Sequence, residues 1–222
     1  MTKLIIAIVL TLTSTFANAQ LKGSGKTITK TYDYKNFDKL SFQDLDGKIE
    51  VEVGKPFSIS ITIDDNLHKL LSLSPNSSEK TLTISLKGNR NNTMYIENTK
   101  INIKITMPKA NAIQNTGNSD LEVRNIFGNY FKLENTGNGE SKISGTIDVL
   151  DIDKTGNGDV NADKLMTKKA TLKSIGNGDL IVNVSEELSA KLTGNGDIIN
   201  KGKAVFDKQS RKIGNGDLVV TD

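Results

Sequence analysis

Six carboxylates return at nearly even spacing in the second half of the chain: Asp120, Glu140, Asp159, Asp179, Asp197 and Asp217. Acidic side chains set among glycines are suited to calcium, a hard cation that takes oxygen ligands. Calcium-binding rolls, however, repeat about every nine residues, and the step here is about twice that. Asp side chains in turns also hydrogen-bond their own backbone, which accounts for the row without an ion. Turn bonding is therefore the first reading, and a calcium row at Asp159, Asp179, Asp197 and Asp217 is the alternative. Stacked one strand apart, such carboxylates would repel by ~1 kcal/mol per neighbour unless lysines, N–H donors or cations relieve them.

No other chemistry is spelled out as a set. The single histidine, His68, has no identifiable partner for proton transfer. No Ser-His-Asp arrangement, phosphate loop or HExxH is present, and the carboxylates sit in repeated positions rather than as one glycosidase-like pair. The chain is expected not to be an enzyme and to need no cofactor. Cysteine is absent, which removes disulfides, thiolate metal sites and a lipoprotein anchor. The formal charge of +3 is spread among 29 basic and 26 acidic residues, and Trp is absent. A nucleic-acid binder would show a basic face with stacking aromatics, so nucleic acid is not an expected partner.

The elements that position these residues are set by a repeated phrase. Gly117-Asn118-Ser119-Asp120, Gly137-Asn138-Gly139-Glu140, Gly156-Asn157-Gly158-Asp159, Gly176-Asn177-Gly178-Asp179, Gly194-Asn195-Gly196-Asp197 and Gly214-Asn215-Gly216-Asp217 follow one another at steps of 20, 19, 20, 18 and 20. Alternating runs precede the phrases, as in Phe131-Lys132-Leu133-Glu134, Leu150-Asp151-Ile152-Asp153 and Ala170-Thr171-Leu172-Lys173. Period-two alternation means strand with one face inward. Strand, glycine corner and strand at a fixed period near twenty make one coil of a parallel β-helix. Asn-Gly is also a hairpin signal, but hairpins would put successive copies at opposite ends and leave their likeness unexplained. Glycine and β-branched residues in every repeat argue against a helical solenoid.

Stacking turns the sequence into rows. Ile113, Leu133, Ile152, Leu172, Ala190 and Ser210 should point inward before the corner, and Leu121, Ser141, Val160, Leu180, Ile198 and Leu218 after it. Asn118, Asn138, Asn157, Asn177, Asn195 and Asn215 should stack as an amide ladder, each side chain both donating and accepting. One position further out, Glu122, Lys142 and Asn161 give way to Ile181, Ile199 and Val219, an apolar stripe that would suit a partner or second subunit. The last phrase lies directly before Asp222, so an open final coil inviting association is expected as well.

Residues 30–110 are strand-rich without the phrase, as in Lys48-Ile49-Glu50-Val51-Glu52-Val53 and Ile101-Asn102-Ile103-Lys104-Ile105-Thr106, with a short helix expected near Asn66–Leu73. Residues 1–19 read as a cleaved signal peptide: Lys3, the apolar run Leu4–Leu12 and the small-x-small site Ala17-Asn18-Ala19. That run is far shorter than the ~20 residues a membrane-spanning helix needs. The expectation is one domain over 20–222, with irregular strands over 30–110 and regular coils over 111–222.

Phe37-Asp38-Lys39-Leu40, the run Ile101–Pro108 leading into Asn115-Thr116-Gly117-Asn118-Ser119-Asp120, and the train of Gly-Asn-Gly-Asp phrases together resemble the auto-transporter adhesin head GIN domain family of Bacteroidota-type bacteria. The resemblance runs from about Phe37 to the C-terminus. It implies an all-β, right-handed parallel β-helix and an extracytoplasmic location: periplasm, cell surface or medium. It supplies no catalytic residues, and fold likeness alone does not convey function. The functional expectation is an adhesin-like or scaffold module of the cell envelope with a protein or glycan partner and self-association through the C-terminal coils. A carbohydrate-binding module is the alternative, and a polysaccharide-active enzyme a lesser one.

Overall fold

The computed structural model describes residues 20–87 and 95–221. The signal-peptide reading of residues 1–19 lies outside the described residues. The strands are β1 (Gln20–Lys22), β2 (Thr27–Tyr32), β3 (Lys39–Leu45), β4 (Lys48–Val53), β5 (Ser58–Asp64), β6 (Leu71–Asn76), β7 (Thr81–Leu86), β8 (Tyr95–Glu97) and β9 (Asn102–Met107). They continue with β10 (Ala112–Gly117), β11 (Asp120–Gly137), β12 (Ser141–Gly156), β13 (Val160–Gly176), β14 (Leu180–Gly194), β15 (Ile198–Asn200), β16 (Arg211–Gly214) and β17 (Leu218–Val220).

From β10 onward each coil lies parallel on the one before it, forming an all-β solenoid of about five turns. The six phrase glycines stack one above another: Gly117 on Gly137, Gly156, Gly176, Gly194 and Gly214. The glycines are required by crowding as well as by backbone angle. Gly156 has φ +121°, and a Cβ built there would lie 2.2 Å from the carbonyl oxygen of Gly137. Parallel pairing excludes the hairpin alternative, in which successive corners would alternate ends.

The inward rows fill the interior. Ile113, Leu133, Ile152, Leu172 and Ala190 are buried, as are Leu121, Ser141, Val160, Leu180 and Ile198. Only in the final coil do Ser210 and Leu218 remain half-buried. There the chain leaves the strand path over 201–210. Asn200 holds this segment by donating to the carbonyls of Val184, Gly202 and Ala204.

Below the first phrase the coils do not follow chain order. β10 stacks on β3 and β11 on β4, so Lys39–Val53 already forms a rung. β7 and β9 make the rung beneath it, pairing in parallel with β3 and β4. The chain thus lays down one rung, passes to the level below, and returns above it at β10. β5 runs antiparallel beside β9 and β2 antiparallel beside β5, while β6 runs antiparallel beside β7, closing this end of the ladder. The strand-rich 30–110 segment thus comprises two rungs laid down out of chain order and an antiparallel cap. The expected helix near Asn66–Leu73 is reduced to a 3-10 turn at His68–Leu70. Leu71 and Leu73 instead pair with Leu86 and Ile84 in the hairpin, and Pro75 is tolerated because β6 is an edge strand.

Candidate functional site

The phrase residues meet at one corner of the solenoid. Each asparagine donates through Nδ2 to the Oδ1 of the coil below: Asn138 to Asn118 at 3.0 Å, Asn157 to Asn138 at 3.0 Å, Asn177 to Asn157 at 2.7 Å, Asn195 to Asn177 at 2.7 Å and Asn215 to Asn195 at 2.9 Å. The same step brings each acidic side chain under the next backbone amide. Asp120 Oδ1 accepts from the N–H of Glu140 at 2.9 Å; Asp159, Asp179 and Asp197 accept from the N–H of Asp179, Asp197 and Asp217 at 2.8 Å. Main-chain donors thus offset part of the repulsion along the row. Glu140 breaks the series and pairs with Lys142 at 2.9 Å, and Asp217 pairs with Lys212. Among the described residues no group of three His, Asp or Glu side chains is arranged to hold a metal.

Interior rungs of the amide ladder lose two hydrogen bonds on truncation, and end rungs lose one. Asn177→Ala is expected to cost about 1 kcal/mol and Asn215→Ala about half of that, since these amides are exposed. Urea titrations of the two variants check this, and equal costs would mean that the ladder does not act as a chain.

The apolar stripe is assembled on the next face. Ile181 pairs with Ile199 and Ile199 with Val219, all partly exposed, while Asn161 continues the row below them. His68 stands apart, its Nε2 3.4 Å from the Tyr32 hydroxyl.

On the flat face before the corner, polar side chains join across four strands, from β3 through β10 and β11 to β12. Gln43 Nε2 donates to Ser41 Oγ at 3.1 Å, Ser41 Oγ donates to Gln114 Oε1 at 2.8 Å, and Gln114 Nε2 donates to Glu134 Oε2 at 3.2 Å. Glu134 pairs with Lys132 at 2.6 Å, and Lys132 reaches Asp153 at 3.4 Å. The Glu134 carboxylate, accepting from the ammonium, holds the Lys132 pKa above the usual lysine range. Its members Gln43, Ser41, Gln114, Glu134 and Lys132 line a groove of about 300 Å³ together with Lys39, Thr81 and Thr83. Beside it, exposed Tyr130 donates its hydroxyl to Asp151 at 2.7 Å.

One interior residue escaped the sequence reading. Two places before each corner the side chains point inward, and this row runs Asn115, Asn135, Lys154, Ser174, Leu192. All five are buried; Lys154 is only 1% exposed. Its Nζ reaches the Gly156 carbonyl at 3.3 Å, and the neighbouring Ser174 Oγ has no partner. Burial pushes the Lys154 pKa down, against the pull of Asp159 and Asp179. The signal was available, because Lys154 stands two residues after inward Ile152.

Rigid, stacked coils edged by a hydrogen-bonded asparagine corner define a β-solenoid that displays side chains in files. The chain belongs to the family described as "Putative auto-transporter adhesin, head GIN domain", whose sequence pattern matches residues 36–204. Among solved structures it is similar to a putative adhesin from Bacteroides fragilis (23% identity, TM-score 0.68, covering 90% of this chain and 100% of that one). It is also similar to two proteins of Parabacteroides distasonis, each covering 91% of this chain and 100% of its own: a putative adhesin (18%, TM-score 0.53) and a putative lipid binding protein (19%, TM-score 0.54). At these identities the likeness establishes the fold. No curated protein matches the sequence.

Proposed function

We propose that the chain is a non-enzymatic, exported, adhesin-like or scaffold module of the cell envelope, which engages a protein or glycan through a lateral face. The observation that carries this reading is the polar relay from Gln43 to Asp153. Its side chains are fixed by one another and by parallel strands beneath them, so little rotamer entropy is lost when a partner docks. The phrase carboxylates support it from the other side. They are engaged by main-chain N–H groups, which suits a structural duty better than proton transfer.

The groove favours a carbohydrate as the second reading. Hydroxyl, amide and carboxylate groups alternate along it, matching the alternating donors and acceptors of a sugar's hydroxyls, and Tyr130 offers an aromatic edge nearby. A glycan array probed with the intact mature chain, alongside binding to envelope fractions, tests both. Gln114→Ala and Ser41→Ala are expected to weaken the binding found at least tenfold, because each removes two links of the relay. Binding that survives both, with strand content unchanged by circular dichroism, would remove the groove from the account.

A further inference from the structure

The face that carries the groove is electrically divided along the solenoid axis. In the row three places before each corner, the residues in register are Gln114, Glu134, Asp153, Lys173, Lys191 and Arg211. The last two residues of the first half, Glu134 and Asp153, are acidic, and the whole of the second half is basic. Lys173, Lys191 and Arg211 are exposed, occupy three successive coils, and make no ion pair among the described residues. Three like charges at strand spacing oppose folding, so this cluster has no evident structural benefit within one chain. The row alongside adds exposed apolar groups, Ile175 and Ile213, on either side of Thr193.

We propose that this face is the interface of an isologous dimer, in which a second copy of the chain docks with its solenoid axis reversed. A two-fold axis parallel to the strands, lying between β12 and β13, sets each row against itself with the coils in opposite order. Asp153 then faces the second copy's Lys173, and Glu134 faces its Lys191. The flanking rows raise no objection. Asp151 meets Thr171, Lys132 meets Ser189, Tyr130 meets Glu187, and Ile175 meets Thr155, so no charge is placed against its like. The reverse arrangement, with both axes pointing the same way, would oppose acid to acid and base to base. An acidic polymer would satisfy only the basic half and leave Glu134 and Asp153 facing it. A second copy satisfies both halves at once. This surface is distinct from the Ile181–Ile199–Val219 stripe, so the two routes to association are separable.

The test uses two charge-reversed forms of the mature chain. One carries Lys173→Glu with Lys191→Glu and has an acidic row; the other carries Glu134→Lys with Asp153→Lys and has a basic row. Light scattering is expected to give twice the chain mass for the native protein, falling toward one chain as salt shortens the screening length. Each variant alone is expected to be monomeric, and an equimolar mixture of the two is expected to return to the dimer mass. Circular dichroism of each variant establishes that it is folded before mixing. A native protein that stays monomeric at low salt overturns the proposal. So does a mixture that fails to associate, or a dimer that persists in both variants and is lost on Ile199→Lys. A basic-row variant that gains affinity for heparin while the native chain stays monomeric points instead to an acidic polymer and counts against the second copy.

Discussion

Replacing Gly156 by alanine is expected to lower the unfolding free energy by about 2–5 kcal/mol. Two costs combine. A φ of +121° places the new Cβ against its own chain, at about 1–2 kcal/mol. The methyl group would also lie 2.2 Å from the Gly137 carbonyl oxygen, so the coils must part or the strand must shift, at about 1–3 kcal/mol. Gly54 separates these terms. It has φ +90°, yet the nearest atom to its added Cβ is Phe127 Cε1 at 3.6 Å, an ordinary contact. Gly54→Ala should therefore cost only the backbone term of about 1–2 kcal/mol. In a chain of this size each kcal/mol moves the melting temperature by about 2–4 °C. Thermal melts of the two variants measure the difference, and equal losses would show that contact between corners adds nothing to backbone strain.

The opposite sign is expected at Lys154. Its ammonium is buried between Asn135 and Ser174 with one carbonyl contact, whereas the same row accepts Leu192 two coils further on, also buried. Removing a poorly paired buried charge in favour of an apolar side chain of similar reach should stabilise the fold. Lys154→Met is expected to raise the unfolding free energy by about 1–3 kcal/mol near neutral pH. The pH dependence has a definite sign. Burial lowers the folded-state pKa of Lys154 below the ordinary 10.5. Between those two values the unfolded chain binds the proton and the folded chain does not, so stability rises with pH there. Below the folded pKa both states are charged and the burial cost is paid in full. The advantage of Lys154→Met should thus shrink as pH climbs toward 10.5. Urea titrations of both proteins at neutral and alkaline pH follow this gap, and a gap that stays constant or widens would mean that Lys154 is better solvated than its position implies.

These two residues also mark how far local reading reaches. Gly156 was legible as a corner because its role recurs in five other phrases at the same offset. Lys154 sits at an offset where the row changes from Asn to Lys to Ser to Leu, and no single repeat announces that the position is interior. Counting by two from Ile152 would have placed it inside. The general habit of lysine to stay in water obscured that count. The relay from Gln43 through Gln114 to Glu134 was illegible for another reason. Its members lie up to 91 positions apart and meet only because β10 stacks directly on β3 after the chain has visited the rung below it.

What the amino-acid sequence determined by itself was the parallel stacking of the coils from β10 to β17 and the contents of their rows. In a solenoid each side chain meets the same offset in the next repeat, so periodic text becomes periodic contact without further information. The tertiary structure decided the order of the lowest rungs, the antiparallel cap and the cross-strand relay. These depend on pairings between segments with no shared period, where many registers satisfy the same alternation and only the packed interior selects one.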